Sequence, residues 1–378
     1  MLDQHVPRVS RTAADAAAVA ARCVADAEDS RRLAPDVVGA LIDAGFARHF
    51  VPAGFGGTQG GFAELTASVA TVGEACAASA WCASLLAYLP RFAAYLPLDG
   101  QREIWAGGPD AVVVGSPSPF GAARAVSGGW RLSGSWPYVS GVDYADWSLV
   151  CATVPDATPR IFALPRRDYT VTESWFNVGM QATGSNTVVV DDAFVPGARS
   201  FPREELFAGK AVAAEGDCHQ VPLHTVNGLS FAAPILGAAR GALAAWTGYI
   251  AGKLARSRPG APGPSRTSFD MALAQASGEI DSAALLLDRA GAVADARAAL
   301  TPALTARNLR DCAIAVRTLV HAVDLLFDLA GTSGQSTGSP VQRFWRDVHS
   351  AASHVALQFE PAANAYAATV FDDEETRP

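Results

Sequence analysis

Lysine is almost absent from this chain. It stands only at Lys210 and Lys253 among 378 residues, and the formal net charge is −8. Charged residues make up 17% of the sequence, and the arginine pairs Arg31-Arg32 and Arg166-Arg167 are isolated. Without a basic face to neutralise phosphates, no nucleic-acid partner is expected. No run of about 18 apolar residues free of charge is present. The nearest, Ala75 to Leu98, carries Arg91, Pro90 and Pro97 and reads as a buried helix with a break, so no membrane span is expected. Met1 to Ser10 holds Asp3, His5 and Arg8 but no apolar stretch, so no secretory leader is expected either. The six cysteines are scattered, with no C-x-x-C pair, which argues against a zinc site or a disulfide framework. No metal site is expected, and the thiols read as reduced and mostly buried, in a cytoplasmic protein. A G-x-G-x-x-G turn between strand and helix, a Walker A loop and a G-x-S-x-G elbow are all missing, which removes a Rossmann nicotinamide site, a P-loop and a hydrolase elbow.

What is present falls into three textures. Residues 1–108 are Ala-rich and helical, with helices expected over Ala13–Glu28, Pro35–Ala44 and Phe62–Cys76 and a fourth from about Ser79. Residues 109–216 change period. Short β-type runs such as Val112–Val114, Trp147–Cys151, Arg160–Leu164 and Thr187–Val190 alternate with Gly, Pro, Asp and Ser, giving a compact β-domain of barrel or sandwich type. Residues 217–378 return to helix, over Asn227–Arg256, Phe269–Leu300, Thr305–Leu329 and Pro340–Phe359, the number a four-helix bundle needs. A Pro/Gly/Ser-rich break at Ser257–Ser265 reads as a mobile loop, and the charged tail from Asp372 as frayed. The fold class is thus mainly α with a central β-domain.

Several local patterns, in order, resemble the acyl-CoA dehydrogenase superfamily from about Arg31 to Gln358. Leu41 to Gly57 is similar to that family's early helix and its P-x-x-[YF]-G-G turn. Gly128 to Trp147 resembles the strand pair that carries the flavin ring, and Gly179 to Asn186 resembles a G-x-R-x-[ST]-x-[ST] stretch. Arg266-x-x-Phe269 resembles an R-x-x-F helix start, and Gly331 to Asp347 the run that ends in R-D. A dehydrogenase needs a carboxylate base at the flavin. Eight residues after Asp347, where most of the family places it, stands Val355, and no Glu or Asp lies between Val348 and Gln358. What stands there is Arg346, Asp347, His349 and His354, an R-D-x-H-x4-H pattern. With Ser79-Ala80-Trp81, it resembles the branch of two-component flavin-dependent monooxygenases related to 4-hydroxyphenylacetate 3-hydroxylase and to polyketide and indole tailoring hydroxylases.

That resemblance implies an oxygenase component that takes reduced FMN or FADH2 from a separate flavin reductase. It would pass one atom of O2, by way of a C4a-hydroperoxyflavin, to an aromatic small molecule, in secondary metabolism. It also implies a homo-oligomer, a tetramer in most relatives. Ser140 matches the flavin-edge hydroxyl, with a turn serine before Gly141 as the plainer reading. His354 is the first choice for acid–base work and His349 the second. On one continuous helix the two would be offset by about 140°. Trp81 is a candidate to stack by the flavin, and Arg266 to bind a flavin phosphate, in this family that of a neighbouring subunit. Trp136, Tyr138 and Ser140 alternate along a strand and are expected on one face, with Ser116 a weaker candidate. Arg346 and Asp347 read as a solvated or interface pair. A true acyl-thioester dehydrogenase, an N-oxygenase of an amino sugar (or an S-oxygenase) and a degenerate binding subunit remain open alternatives.

Overall fold

The computed structural model describes residues 8–156, 158–214, 216–256, 264–296 and 300–371. Most of the Ser257–Ser265 break and the tail from Asp372 lie outside the described residues.

The first helices are α1 (Val9–Ser30), α2 (Pro35–Asp43), α3 (Phe62–Gly73), α4 (Ala77–Ala93) and α5 (Leu98–Ile104). Helix α1 buries Val9, Ala13, Ala16, Ala20 and Ala27, a seam of small residues three, four or seven apart that lets neighbours approach closely. Helix α4 is different: every residue except Leu85 is buried, as expected of a helix that is apolar all round. It packs between α3, the sheet and the long helix α7 (Leu223–Arg256). Pro90 is accommodated inside α4. Arg91 is fully buried there, and its Nε donates to Cys218 O at 2.7 Å.

The β-type runs join one seven-stranded sheet in the order β5-β6-β2-β1-β3-β4-β7. The strands are β1 (Val113–Val126), β2 (Gly129–Val139), β3 (Trp147–Thr153), β4 (Pro159–Pro165), β5 (Thr170–Thr172), β6 (Asn186–Pro196) and β7 (Ser200–Pro202). Among the described residues only β1 and β3 pair in parallel. The β2–β6 register shifts between Trp136 and Val139, and Tyr138 sits there at φ 64°. An extra residue in a ladder breaks the in/out alternation. Trp136, Tyr138 and Ser140 therefore do not share a face: Trp136 is 0% exposed, Tyr138 is 70% exposed, and Ser140 is buried beyond the end of the strand.

After α6 (Arg203–Ala208) and α7 come α8 (Arg266–Asp295), α9 (Pro302–Ala330), α10 (Pro340–Ala352) and α11 (Phe359–Phe371). The single helix expected over Pro340–Phe359 is thus two helices joined by a 3-10 turn at Val355–Leu357. His354 caps that turn through its own ring, Nδ1 accepting from Ala356 N at 3.2 Å. The helical offset of 140° between His349 and His354 does not apply, because α10 ends at Ala352 before His354 is reached. Helix α7 is long and apolar enough to cross a membrane by length and composition, but 78% of its apolar window is buried inside the fold, where it is the central core helix. One continuous apolar core runs from α1 and α4 through β2 and β6 to α7, α9 and α10.

Candidate active site

Helix α4, the end of β2, helix α7 and the α10–α11 junction converge on one cluster. The Trp81 indole from α4 lies 4.9 Å from the Phe231 ring of α7 and 5.6 Å, edge-on, from His354. Phe231 and His354 stack at 3.7 Å with 28° between planes. Trp81 Nε1 donates to Ser140 Oγ at 3.1 Å, which ties the three rings to the sheet. Ser140 can turn into this position because Gly141 follows it at φ 71°, where a side chain would be strained.

Behind Ser140 runs a line of hydroxyls. Ser140 Oγ is 2.8 Å from Ser185 Oγ, and Ser185 Oγ is 2.7 Å from Thr183 Oγ1. Thr183 Oγ1 donates to Met180 O at 2.9 Å. Met180 sits at φ 54°, and its N–H donates to the Asp347 carboxylate at 2.6 Å. Asp347 is buried, and burial lifts its pKa to about 6 against the pull of the Met180 N–H. The solvated reading of Asp347 is thereby corrected. Arg346 is the surface partner, bonded to Val178 O and paired with Glu28 at 2.8 Å.

Electrostatically the cluster is uncharged at neutral pH. Burial lowers His354 to about 4, so its ring is neutral. With Nδ1 accepting from Ala356, that neutral ring carries its proton on Nε2, which has no hydrogen-bond partner among the described residues. No carboxylate touches Trp81, Ser140 or His354 among the described residues, and Val355 is 78% exposed. An apolar crevice lined by Leu33, Val38, Leu85, Val114 and Ser140 opens beside the serine.

The other candidates lie elsewhere. His349 Nε2 bonds Asp324 at 2.8 Å, the same oxygen that accepts Trp345 Nε1 at 2.7 Å, so its polar contacts are with α9 rather than with His354. Trp136 donates to Cys151 O at 2.7 Å and packs over Gly121 and Gly134, where an added Cβ would come within 2.2 Å and 2.6 Å of its ring. That is a core position. Ser116 is buried on β1 with no side-chain hydrogen bond among the described residues. Arg266 starts α8 with its side chain 71% exposed and, among the described residues, pairs with Asp270 at 3.1 Å. Phe231 had no sequence signal beyond an apolar helix. Thr183 and Ser185 had one: they are the two hydroxyl positions of the Gly179–Asn186 stretch.

The residues suit a flavin. A buried hydroxyl at Ser140 is adjacent in sequence to a turn that exposes the Tyr138 ring, with Trp175 edge-on at 6.2 Å and Phe176 70% exposed. Exposed aromatic rings beside one buried hydroxyl suit an isoalloxazine ring, which needs apolar contact and a hydrogen-bonding edge.

The comparisons with known proteins agree. Residues 229–359 match the family model described as acyl-CoA dehydrogenase, C-terminal domain. The chain is 33% identical over 381 residues to the oxygenase component of FADH2-dependent resorcinol hydroxylase from Rhizobium sp. (strain MTP-10005), covering 94% of this chain and 92% of that one. It is 31% identical over 350 residues to the flavin-dependent monooxygenase oxygenase subunit HsaA of Rhodococcus jostii (strain RHA1), covering 89% and 91%. The crystal structure of 3-HSA hydroxylase from Rhodococcus sp. RHA1 superposes with a TM-score of 0.91 at 28% identity, over 98% of both chains. That of XiaF from Streptomyces sp. in complex with FADH2 and glycerol superposes with a TM-score of 0.88 at 25% identity, over 98% and 96%. Fold and sequence together place this chain in the two-component flavin-dependent monooxygenase branch of the acyl-CoA dehydrogenase superfamily, as a reduced-flavin oxygenase component.

Proposed function

We propose that this oxygenase hydroxylates an aromatic small molecule of phenolic or indole type, using reduced flavin delivered by a separate reductase. The observation that carries the reading is the uncharged ring cluster of Trp81, Phe231 and His354 joined to Ser140 by the 3.1 Å indole bond. It offers aromatic, apolar contact to an aromatic ring, with two hydrogen-bonding groups and, among the described residues, no carboxylate to abstract a proton α to a thioester. When bound, the flavin supplies O2 activation and oxygen transfer.

The protein residues do the rest. Ser140 holds the flavin edge, and Trp81 fixes Ser140. Phe231 fixes the plane of His354. The Nε2–H of His354 donates to the oxygen of a phenol and so favours entry of the phenolate, the more nucleophilic form, which has left its proton in bulk solvent before binding. For His354 to take the phenolic proton itself, Nδ1 would have to release Ala356 or Nε2 its hydrogen, so the tautomer implied by the Ala356 hydrogen bond favours the donor role. The apolar walls exclude water. His349 is a positioning residue of the α9–α10 contact. Arg266, exposed in a single chain, fits a role at a neighbouring subunit's flavin phosphate in a cytoplasmic homotetramer.

The test is turnover with a flavin reductase, NADH and 18O2, offered resorcinol-type phenols and indoles. A product carrying one labelled oxygen is expected. Complete conversion of O2 to hydrogen peroxide with every aromatic tested, alongside bleaching of oxidised FAD by an acyl-CoA, would replace this reading with the dehydrogenase one.

A further inference from the structure

The line of hydroxyls behind Ser140 has a direction, and its ends set that direction. At one end stands Trp81 Nε1–H, which can only donate; at the other stands Met180 O, which can only accept. Each hydroxyl between them has a single hydrogen. With Thr183 donating to Met180 O, Ser185 must donate to Thr183, and Ser140 must donate to Ser185. All four contacts are then made, and Ser140, which already accepts from Trp81, keeps only a lone pair for anything else that binds there. In the opposite order Thr183 donates to Ser185 and Ser185 to Ser140. Only three contacts are then made inside the protein, and the Ser140 hydrogen is turned outward. Ser140, Thr183 and Ser185 are all buried, at 7%, 2% and 4% exposure, so no bulk water competes for these hydrogens.

Reduced flavin carries a hydrogen on N5, and oxidised flavin carries a lone pair there. We propose that Thr183 and Ser185 are positioning residues that hold the Ser140 hydroxyl as a hydrogen-bond acceptor toward the flavin edge, so that the site prefers the reduced flavin over the oxidised one. This rests on the monooxygenase reading and deepens it: an enzyme that must capture reduced flavin and release the oxidised form gains from a site that tells the two apart. The preference is not a barrier. Met180 O also accepts from Trp175 Nε1 at 2.9 Å, so it stays bonded when Thr183 turns away. Reversal moves no proton between atoms, because each hydroxyl only rotates about its own C–O bond.

The test compares the dissociation constants of FAD and of FADH2, the latter measured anaerobically, for the wild type, Ser185→Ala, Thr183→Val and the conservative Thr183→Ser. In Ser185→Ala the Ser140 hydrogen loses its protein acceptor and turns to the flavin. In Thr183→Val the Ser185 hydroxyl keeps, among the described residues, only Ser140 as a partner, and its hydrogen turns there with the same result. Both variants should lose preference for FADH2 by roughly five- to ten-fold in the ratio of the two constants, the scale of one hydrogen bond, while Thr183→Ser keeps it. A general loosening of the site would weaken both forms together and leave the ratio unchanged. A ratio unchanged in whichever of the two variants folds, with FADH2 still bound, overturns the relay and leaves the monooxygenase reading standing. A wild type that binds neither flavin overturns both.

Discussion

Trp81 joins an aromatic cluster to a hydrogen-bonded one, and the two contributions separate by mutation. Trp81→Phe keeps ring contact with Phe231 and His354 but removes the donor to Ser140. We expect turnover to fall by about five- to ten-fold, one hydrogen bond's worth, with little change in Tm; an unchanged kcat would remove Trp81 from the positioning of Ser140. His354→Leu, which removes the Nε2–H donor to a phenolate oxygen, should cost about 10²- to 10³-fold in hydroxylation, while FADH2 binding persists. His354 also has a stability signature. Its pKa is lowered by burial to about 4, so between about pH 6.5 and pH 4 the unfolded chain binds a proton that the folded chain does not. Stability therefore falls with acidification through that window and is fully restored above it. His219, lowered to about 4 by burial, contributes in the same sense. Urea unfolding at pH 7 and pH 5 should show a smaller acid loss in His354→Gln than in the wild type, by on the order of 1 kcal/mol; equal losses would mean that His354 titrates normally. At this scale the structure brings Trp81, Ser140 and His354, each singled out by a distinctive sequence pattern, into one cluster. Phe231 had no such pattern, since a phenylalanine on an apolar helix looks the same whether it packs or positions.

At the scale of elements, the long helices were readable from Ala-rich seams and apolar spacing, and the sheet from short β-branched runs bounded by turn residues. The two departures both lie where a local event overrides a period. Residue alternation put Trp136, Tyr138 and Ser140 on one face, but the shift in β2–β6 register at Trp136–Val139 divides them. Helical continuity was expected through His354, but its ring bonds the Ala356 N–H and caps a new turn instead. Neither event has a periodic signature. The Trp136 position is held by two glycines beneath its ring, so Gly121→Ala, whose Cβ would come within 2.2 Å of the indole, should destabilise by about 1–3 kcal/mol through overpacking. Calorimetry checks this, and Trp136→Phe in the same chain should recover part of the lost Tm. Asp347 joins α10 to the end of the hydroxyl line. Asp347→Ala leaves the Met180 N–H unbonded and should cost about 1–3 kcal/mol.

For the whole molecule, the site is assembled from every part of the chain. Helix α4 brings Trp81, the sheet brings Ser140, and α7 with the α10–α11 junction brings Phe231 and His354, so the site forms only when the continuous core does. The order helix, sheet, helix was visible in the texture of the sequence; the convergence of its parts on one crevice was not, because it depends on packing across long sequence separations. The exposed Arg266 belongs to this scale too. Arg266→Ala should leave Tm unchanged and weaken FADH2 binding several-fold in an assembly of four chains, which light scattering would report as roughly four times 39.2 kDa. The most direct measurement is anaerobic stopped-flow mixing of the protein loaded with FADH2 or reduced FMN against oxygenated buffer. A transient flavin absorbance distinct from both reduced and oxidised forms, long-lived without substrate and decaying faster with a phenol or indole, is the expected result. Oxidation in one phase at the rate of free flavin, indifferent to any aromatic, would contradict the assignment of Trp81, Ser140 and His354 to an oxygenase site.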